Sequence, residues 1–150
     1  MKSAKILLLS LLLIAAMIPV AFAATTPNWQ KIPYETANPC YLDGNTVKNV
    51  GSADIIYADV KKMLSAAEIQ ELAASDPKTF APEVTNKISY LTCSVTYNQK
   101  TKTETIRNQK YFSTDNTLLA SQPDIEKAPV NENSTTAKLY AAIFQWLYEN

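Results

Sequence analysis

Between Lys87 and Phe112 the chain runs in two long stretches rich in β-branched and aromatic residues, parted by Asn98-Gln99-Lys100-Thr101. In the first stretch Leu91, Cys93, Val95 and Tyr97 share one face, while Ile88, Tyr90 and Thr92 share the other. A period of two belongs to an extended strand. The second stretch, Lys102 to Phe112, is Thr-rich and polar, and Thr114-Asp115-Asn116 turns it into a further strand around Thr117 to Ser121. Three consecutive strands with short turns form an antiparallel meander, so the chain is expected to build on a sheet.

The remaining segments fit round that meander. Asn28 to Glu35 carries Trp29, Ile32 and Tyr34 between Pro27 and the Asn38-Pro39 break and reads as a first strand. Cys40-Tyr41-Leu42 reads as a second, stopped by the turn residues Asp43-Gly44-Asn45. From Ile55 to Leu64, Ile56, Ala58, Val60 and Leu64 face one way and Asp59 and Lys61 the other, the alternation of a half-buried strand. Ser65 and Glu68 then form a capping box for a short helix ending near Ser75, halted by Asp76-Pro77. The segment Gln122 to Glu132 holds Pro123, Pro129 and several charges, and is expected to cross the sheet as a loop. After the capping residues Asn133-Ser134-Thr135 the period changes. Leu139, Tyr140, Ile143, Phe144, Leu147 and Tyr148 recur at threes and fours, an amphipathic C-terminal helix with Leu139, Ile143, Phe144 and Leu147 as its expected core stripe. The fold class is therefore α+β: an antiparallel sheet of about five to six strands, a short helix after the third strand, and the C-terminal helix packed on one sheet face.

The N-terminus speaks of location. Lys2 and Lys5 precede an apolar run from Ile6 to Val20, followed by Ala21-Phe22-Ala23. That order of basic, apolar and small-x-small residues is expected of a signal peptide over residues 1–23, with one domain over 24–150. A membrane anchor is the competing reading, but the run is shorter than the roughly 20 residues a bilayer needs. A secreted or periplasmic location follows. The junction has no cysteine and so no lipobox, although cell-surface association by other means is compatible with export. Outside the cytoplasm Cys40 and Cys93 are expected to pair, with two separate buried thiols as the alternative. Such a disulfide would stabilise the domain by roughly 4 kcal/mol on chain-entropy grounds.

Composition removes whole classes of chemistry. Across 150 residues there is no histidine, which takes away the commonest general base and the commonest metal ligand. The two glycines, Gly44 and Gly51, cannot form a phosphate-cradling loop. The 14 basic and 14 acidic residues balance, and loss of Lys2 and Lys5 leaves a slight acidic excess, so nucleic acid is not an expected partner. No cofactor, metal ligand set or catalytic residue is assigned. Ser75-Asp76-Pro77-Lys78 has the Ser-x-x-Lys spacing of penicillin-recognising enzymes, but Pro77 interrupts it and the companion motifs are missing. Asp43, Asn45, Asn49 and Asp54 fall at some calcium-loop positions, but Lys48 replaces the needed glycine, and a turn closed by Asx hydrogen bonds is the plainer reading. Asp54, Asp59 and Glu104 could supply a carboxylate pair only if the fold brought them together. The one local basic feature is Lys87, Lys100, Lys102, Arg107 and Lys110 on the central hairpin. Edge protection against strand-to-strand aggregation explains these residues most simply; a binding patch for an acidic glycan or protein is the functional alternative. Trp146, Tyr140 and Tyr148 read as helix packing before they read as an exposed aromatic contact.

The ordered features resemble the surface-adhesin E family of small exported bacterial domains. They are the tryptophan-led strand Trp29-Gln30-Lys31-Ile32, the step Tyr41-Leu42-Asp43 followed by Thr46-Val47, a long strand, a cysteine-bearing strand, a strand ending in Tyr111-Phe112, and a helix capped by Ser134. The resemblance spans nearly all of Asn28 to Asn150. It implies an antiparallel sheet with the helix on its concave side and an adhesin-like, non-enzymatic role in binding a host or cell-envelope macromolecule. Members often carry a cysteine in the terminal helix and are often lipoproteins, whereas this helix has no cysteine and the junction no lipobox. A homodimer is compatible with such a role. The alternative from another class is a small periplasmic enzyme or enzyme-inhibitor module with a cleft between helix and sheet.

Overall fold

The computed structural model describes residues 25–33 and 38–150. The expected leader over 1–23 lies outside the described residues, as do Tyr34 and Glu35 of the expected first strand. The architecture is α+β, an eight-stranded antiparallel sheet with short helices and a C-terminal helix. The strands are β1 (Trp29–Lys31), β2 (Cys40–Asp43), β3 (Lys48–Val50), β4 (Ser52–Met63), β5 (Ile88–Asn98), β6 (Thr103–Ser113), β7 (Leu118–Gln122) and β8 (Ile125–Pro129). The helices are α1 (Ala66–Ser75), α2 (Pro82–Thr85) and α3 (Thr135–Glu149). The strand order is β1-β2-β4-β5-β6-β7, with β3 beside β4 and β8 beside β6.

Two strands exceed the sequence expectation. β3 is short and exposed, and Gly51 at φ +76 makes the turn that folds it back on β4. β8 occupies the segment expected to be a loop. Its Pro129 sits opposite Thr103 on an outer strand, where a missing amide donor is tolerated. Pro123 separates β7 from β8, so two short strands share one long neighbour: β7 pairs with Gln109–Phe112 and β8 with Thr103–Ile106.

Caps and turns follow the side chains at their ends. Glu68 N donates to Ser65 Oγ at 3.2 Å and Ser65 N donates to Glu68 Oε2 at 2.9 Å, completing the capping box of α1. Burial alone would push the Glu68 carboxyl up, but the ion pair with Lys62 and the donors of Ser65 hold it below its usual value. Asn98 Oδ1 accepts from Lys100 N and Thr101 N at 2.9 and 3.0 Å and so closes the β5–β6 turn, where Lys102 takes φ +56. Ala137 N donates to Ser134 Oγ at 3.1 Å at the start of α3.

Among the described residues the three helices pack on one side of the sheet. Tyr140, Ile143 and Phe144 of α3 are buried against Leu42, Ile56, Ala58, Val60, Val95 and Tyr97. Tyr97 and Tyr140 stack with centroids 4.2 Å apart. The buried stripe is thus shifted one position toward Tyr140 from the expected one, with Leu139 and Leu147 at its margins. A second cluster, Phe80, Ile88 and Tyr111, takes Ile69 and Leu72 of α1 and Val84 of α2.

The expected disulfide is corrected. Cys40 partners Lys62 on β4, and Cys93 partners Val60 on β4 from the opposite side. A whole strand therefore separates the two cysteines, about 9.6 Å across the sheet, beyond the roughly 7 Å limit for a bridge. Both thiols are free. Burial pushes Cys40 up to about 11 and Cys93 up to about 12.

Candidate functional site

Directly partnered residues of neighbouring strands share a face. The register thus sorts the sheet. Leu42, Val60, Cys93 and Val95 look toward the helices, and Tyr41, Tyr57, Asp59, Lys61, Thr92, Ser94, Thr96, Thr105 and Lys110 look the other way. Among the described residues no helix contributes to that second face; both apolar clusters lie on the first. The second face holds half-buried aromatic rings, hydroxyls and lysines in place of an apolar core.

Near its centre is a groove of about 420 Å³ lined by Pro27, Trp29, Asp59, Ser94, Asn108 and Lys110 among others. One wall is set by Asp43, which is buried because its Oδ1 accepts from Asn28 N at 2.8 Å and Asn45 N at 3.0 Å. Thr46 N and Oγ1 donate to Asp43 O at 2.9 and 3.0 Å, and Asp59 N donates to Thr46 Oγ1 at 3.0 Å. The acidic loop is therefore an Asx-closed turn whose donors are spent on holding β2 against β4. On the floor, Ser94 Oγ and Tyr57 OH both donate to Asp59 Oδ1, at 2.6 and 2.8 Å. Burial pushes the Tyr57 phenol up, with the Asp59 charge adding to it and the Ser94 contact opposing it. Both hydroxyl protons are committed to one carboxylate oxygen, so this trio is a fixed polar surface suited to hydrogen-bonding a ligand.

The opposite wall comes from a bulge. Thr92 partners Lys110 and Ser94 partners Arg107, so Asn108 and Gln109 together face Cys93. Asn108 takes φ +55 there, and the extra residue returns Gln109 to the helix face, where its Nε2 donates to Pro123 O at 2.8 Å. Lys110 is thereby aimed at the groove.

The basic residues expected on the hairpin do not form one patch. Lys87 precedes β5 and Lys100 lies beyond its far end, so the eleven residues of that strand, roughly 36 Å of extended chain, separate them. Lys102 pairs with Glu132 at 3.5 Å, and Arg107 pairs with Glu126 at 2.8 Å. Lys110 alone of the five lines the groove. Lys31, Lys48 and Lys61 share the open face with it and were passed over in the sequence. Lys48 lies 5.5 Å from the centroid of Tyr57 and Lys61 lies 4.1 Å from that of Tyr90. The polar side of the Ile55–Leu64 alternation already held Lys61, but strand order was needed to set it beside Lys31 and Lys110.

The other candidate chemistries are dispersed. Ser75 Oγ donates to Leu72 O at 3.0 Å at the end of α1, and Lys78 is exposed beyond it. Asp54 is exposed at the start of β4, Asp59 sits on the open face, and Glu104 accepts from Tyr140 OH on the helix face, so the three carboxylates do not converge. Among the described residues no group of three or more metal-ligating side chains occurs. Of the helix aromatics, Tyr140 is buried, Trp146 Nε1 donates to Gln30 Oε1 at 3.1 Å, and Tyr148 is exposed. No family model, curated protein or solved structure matches the chain.

Proposed function

We propose that this chain is a non-enzymatic, exported binding domain that meets a macromolecular partner with the open face of its sheet. The observation that carries the proposal is the division of labour between the two faces. Among the described residues every helix and both apolar clusters occupy one face, while Trp29, Tyr41, Tyr57 and Phe112 stand half-buried on the other among lysines and hydroxyls. Half-buried aromatic rings beside polar groups suit recognition, because each ring supplies a large contact area at small entropic cost. The competing reading, an enzyme or inhibitor with a cleft between helix and sheet, has a groove of about 530 Å³ beside α3, lined by Tyr97, Lys102, Glu132, Phe144 and Tyr148 among others, but its two charges, Lys102 and Glu132, pair with each other and the interface beneath it is filled, with Tyr140 and Ile143 almost fully buried. The resemblance to surface-adhesin E proteins and the leader-like N-terminus point the same way.

A photoreactive group placed at Tyr57, and separately at Lys138 on the outer side of α3, tests the face. Incubated with matrix proteins and cell-envelope extract, the Tyr57 probe should capture a partner and the Lys138 probe should not. Capture through Lys138 alone would reverse the assignment.

A further inference from the structure

The open face carries a row of side chains that no single strand contains. Following the register from edge to edge, Lys31 partners Tyr41, Tyr41 partners Lys61, Lys61 partners Thr92, Thr92 partners Lys110, and Lys110 partners Ser121. These residues come from β1, β2, β4, β5, β6 and β7, and they stand in one line at right angles to the strands. Ammonium groups alternate along it with hydroxyl-bearing side chains. With strands about 4.8 Å apart, successive lysines are about 9.6 Å apart at the backbone and the outer pair about 19 Å. Among the described residues none of the three has a carboxylate partner. Lys31 and Lys110 are exposed, and Lys61 is held above the Tyr90 ring at 4.1 Å.

We propose that this row is a track for a linear anionic polysaccharide, sulfated or rich in uronic acid, laid across the strands; the proposal rests on the open face being the binding surface. The spacing sets one cation against each repeat of roughly two strand widths, the order of an extended disaccharide. Between the cations, the Tyr41 ring offers a surface for a sugar face, and the hydroxyls of Thr92 and Ser121 offer hydrogen bonds to sugar hydroxyls. Lysine is a compact point charge that pairs with sulfate or carboxylate without demanding one geometry. A single-stranded nucleic acid fits less well, because its binders stack successive bases on successive aromatic rings and the row offers Tyr41 alone between its cations.

Binding of size-fractionated heparin oligosaccharides to the full chain, followed by calorimetry, tests the track. Affinity should climb with oligosaccharide length until about 19 Å is spanned and then level off. Lys31→Gln, Lys61→Gln and Lys110→Gln should each weaken binding about threefold to tenfold, with thermal midpoints unchanged. Lys61→Arg should retain affinity, as should Lys100→Gln at the hairpin tip. Equal losses from Lys100→Gln and the three row variants, or affinity indifferent to length, would overturn the track. Tighter binding of a single-stranded oligonucleotide or of polyglutamate of matched charge would overturn the polysaccharide assignment. If the Tyr57 probe captures a partner while the row variants bind heparin as wild type does, the track fails and the open-face reading stands. If capture runs through Lys138 alone, that reading fails by itself.

Discussion

At the scale of single residues, ionisable groups buried on the helix face make stability depend on pH in one direction. Cys40 and Cys93 are raised from 9.0 to about 11 and about 12, each first by burial, and burial raises Tyr111 from 10.0 to about 12. Tyr140 is raised too, first by burial and then by the Glu104 carboxylate to which its hydroxyl donates. In each case the folded state holds a proton that the unfolded chain releases more easily. The stabilisation is therefore complete below the unfolded value and is lost as pH climbs through the folded one. Denaturant midpoints should stay level up to pH about 9 and fall steadily from there to about 12. A midpoint that rises across that interval would contradict the burial of these groups. The same thiols settle the bridge: the unfolded, unreduced protein should titrate two free thiols per chain, and none would restore the disulfide. A leader-like N-terminal pattern and an even cysteine count are properties of the string and suggest pairing. The strand standing between Cys40 and Cys93 is a property of sheet order, which local pattern does not carry.

Among the elements, α3 was legible because its periodicity and its Ser134 cap are both local, and its packing gives a sharp contrast. Ile143 has no exposed surface, so Ile143→Ala should cost roughly 2–5 kcal/mol. Gln145 is exposed and reaches only Glu149 along its own helix, so Gln145→Ala should stay within about 0.5 kcal/mol. Equal denaturation midpoints for the two variants would show that α3 does not pack as described. α1 is anchored more lightly, with no fully buried residue, and so depends more on its end. Ser65→Ala should cost about 1 kcal/mol, read as a lowered urea midpoint with unchanged slope. The element that pattern did not reveal is β8. Its proline and charges argue for a loop, and they remain compatible with a strand only because it lies beside β6 with no ladder to complete on its far side. The bulge at Asn108 was equally hidden, since its left-handed backbone leaves no trace in the alternation of Thr103 to Ser113.

For the whole molecule, the sheet is both the scaffold of the core and the carrier of the proposed site, so its stability gradient decides what can move. β4 and β5 share nine consecutive partner pairs from Ile55–Asn98 to Met63–Tyr90, and β6 adds a second long ladder on the far side of β5. β1, β3, β7 and β8 are each three to five residues long. The Lys31–Lys110 row therefore crosses from a short edge strand through the stable centre and out again. This is also why the row escaped the sequence. The hairpin residues lie close in the chain, and Lys110 is one of them, whereas Lys31 and Lys61 are brought into line with it only by the order in which distant strands pair. Long central ladders open only by global unfolding, and short edge strands open locally at far smaller free energy. Amide hydrogen exchange should thus be slowest over Ile56 to Lys61 and Leu91 to Tyr97, and faster by orders of magnitude over Lys48 to Val50 and Ile125 to Ala128. A ligand laid across the open face ties the edges to the centre, so a bound heparin oligosaccharide should slow exchange at Gln30 and Lys31 and at Ala120 and Ser121 while leaving β8, off the row, unchanged. Protection confined to β8 and the hairpin tip would place the ligand on the Lys100 and Lys102 side and remove the row from consideration.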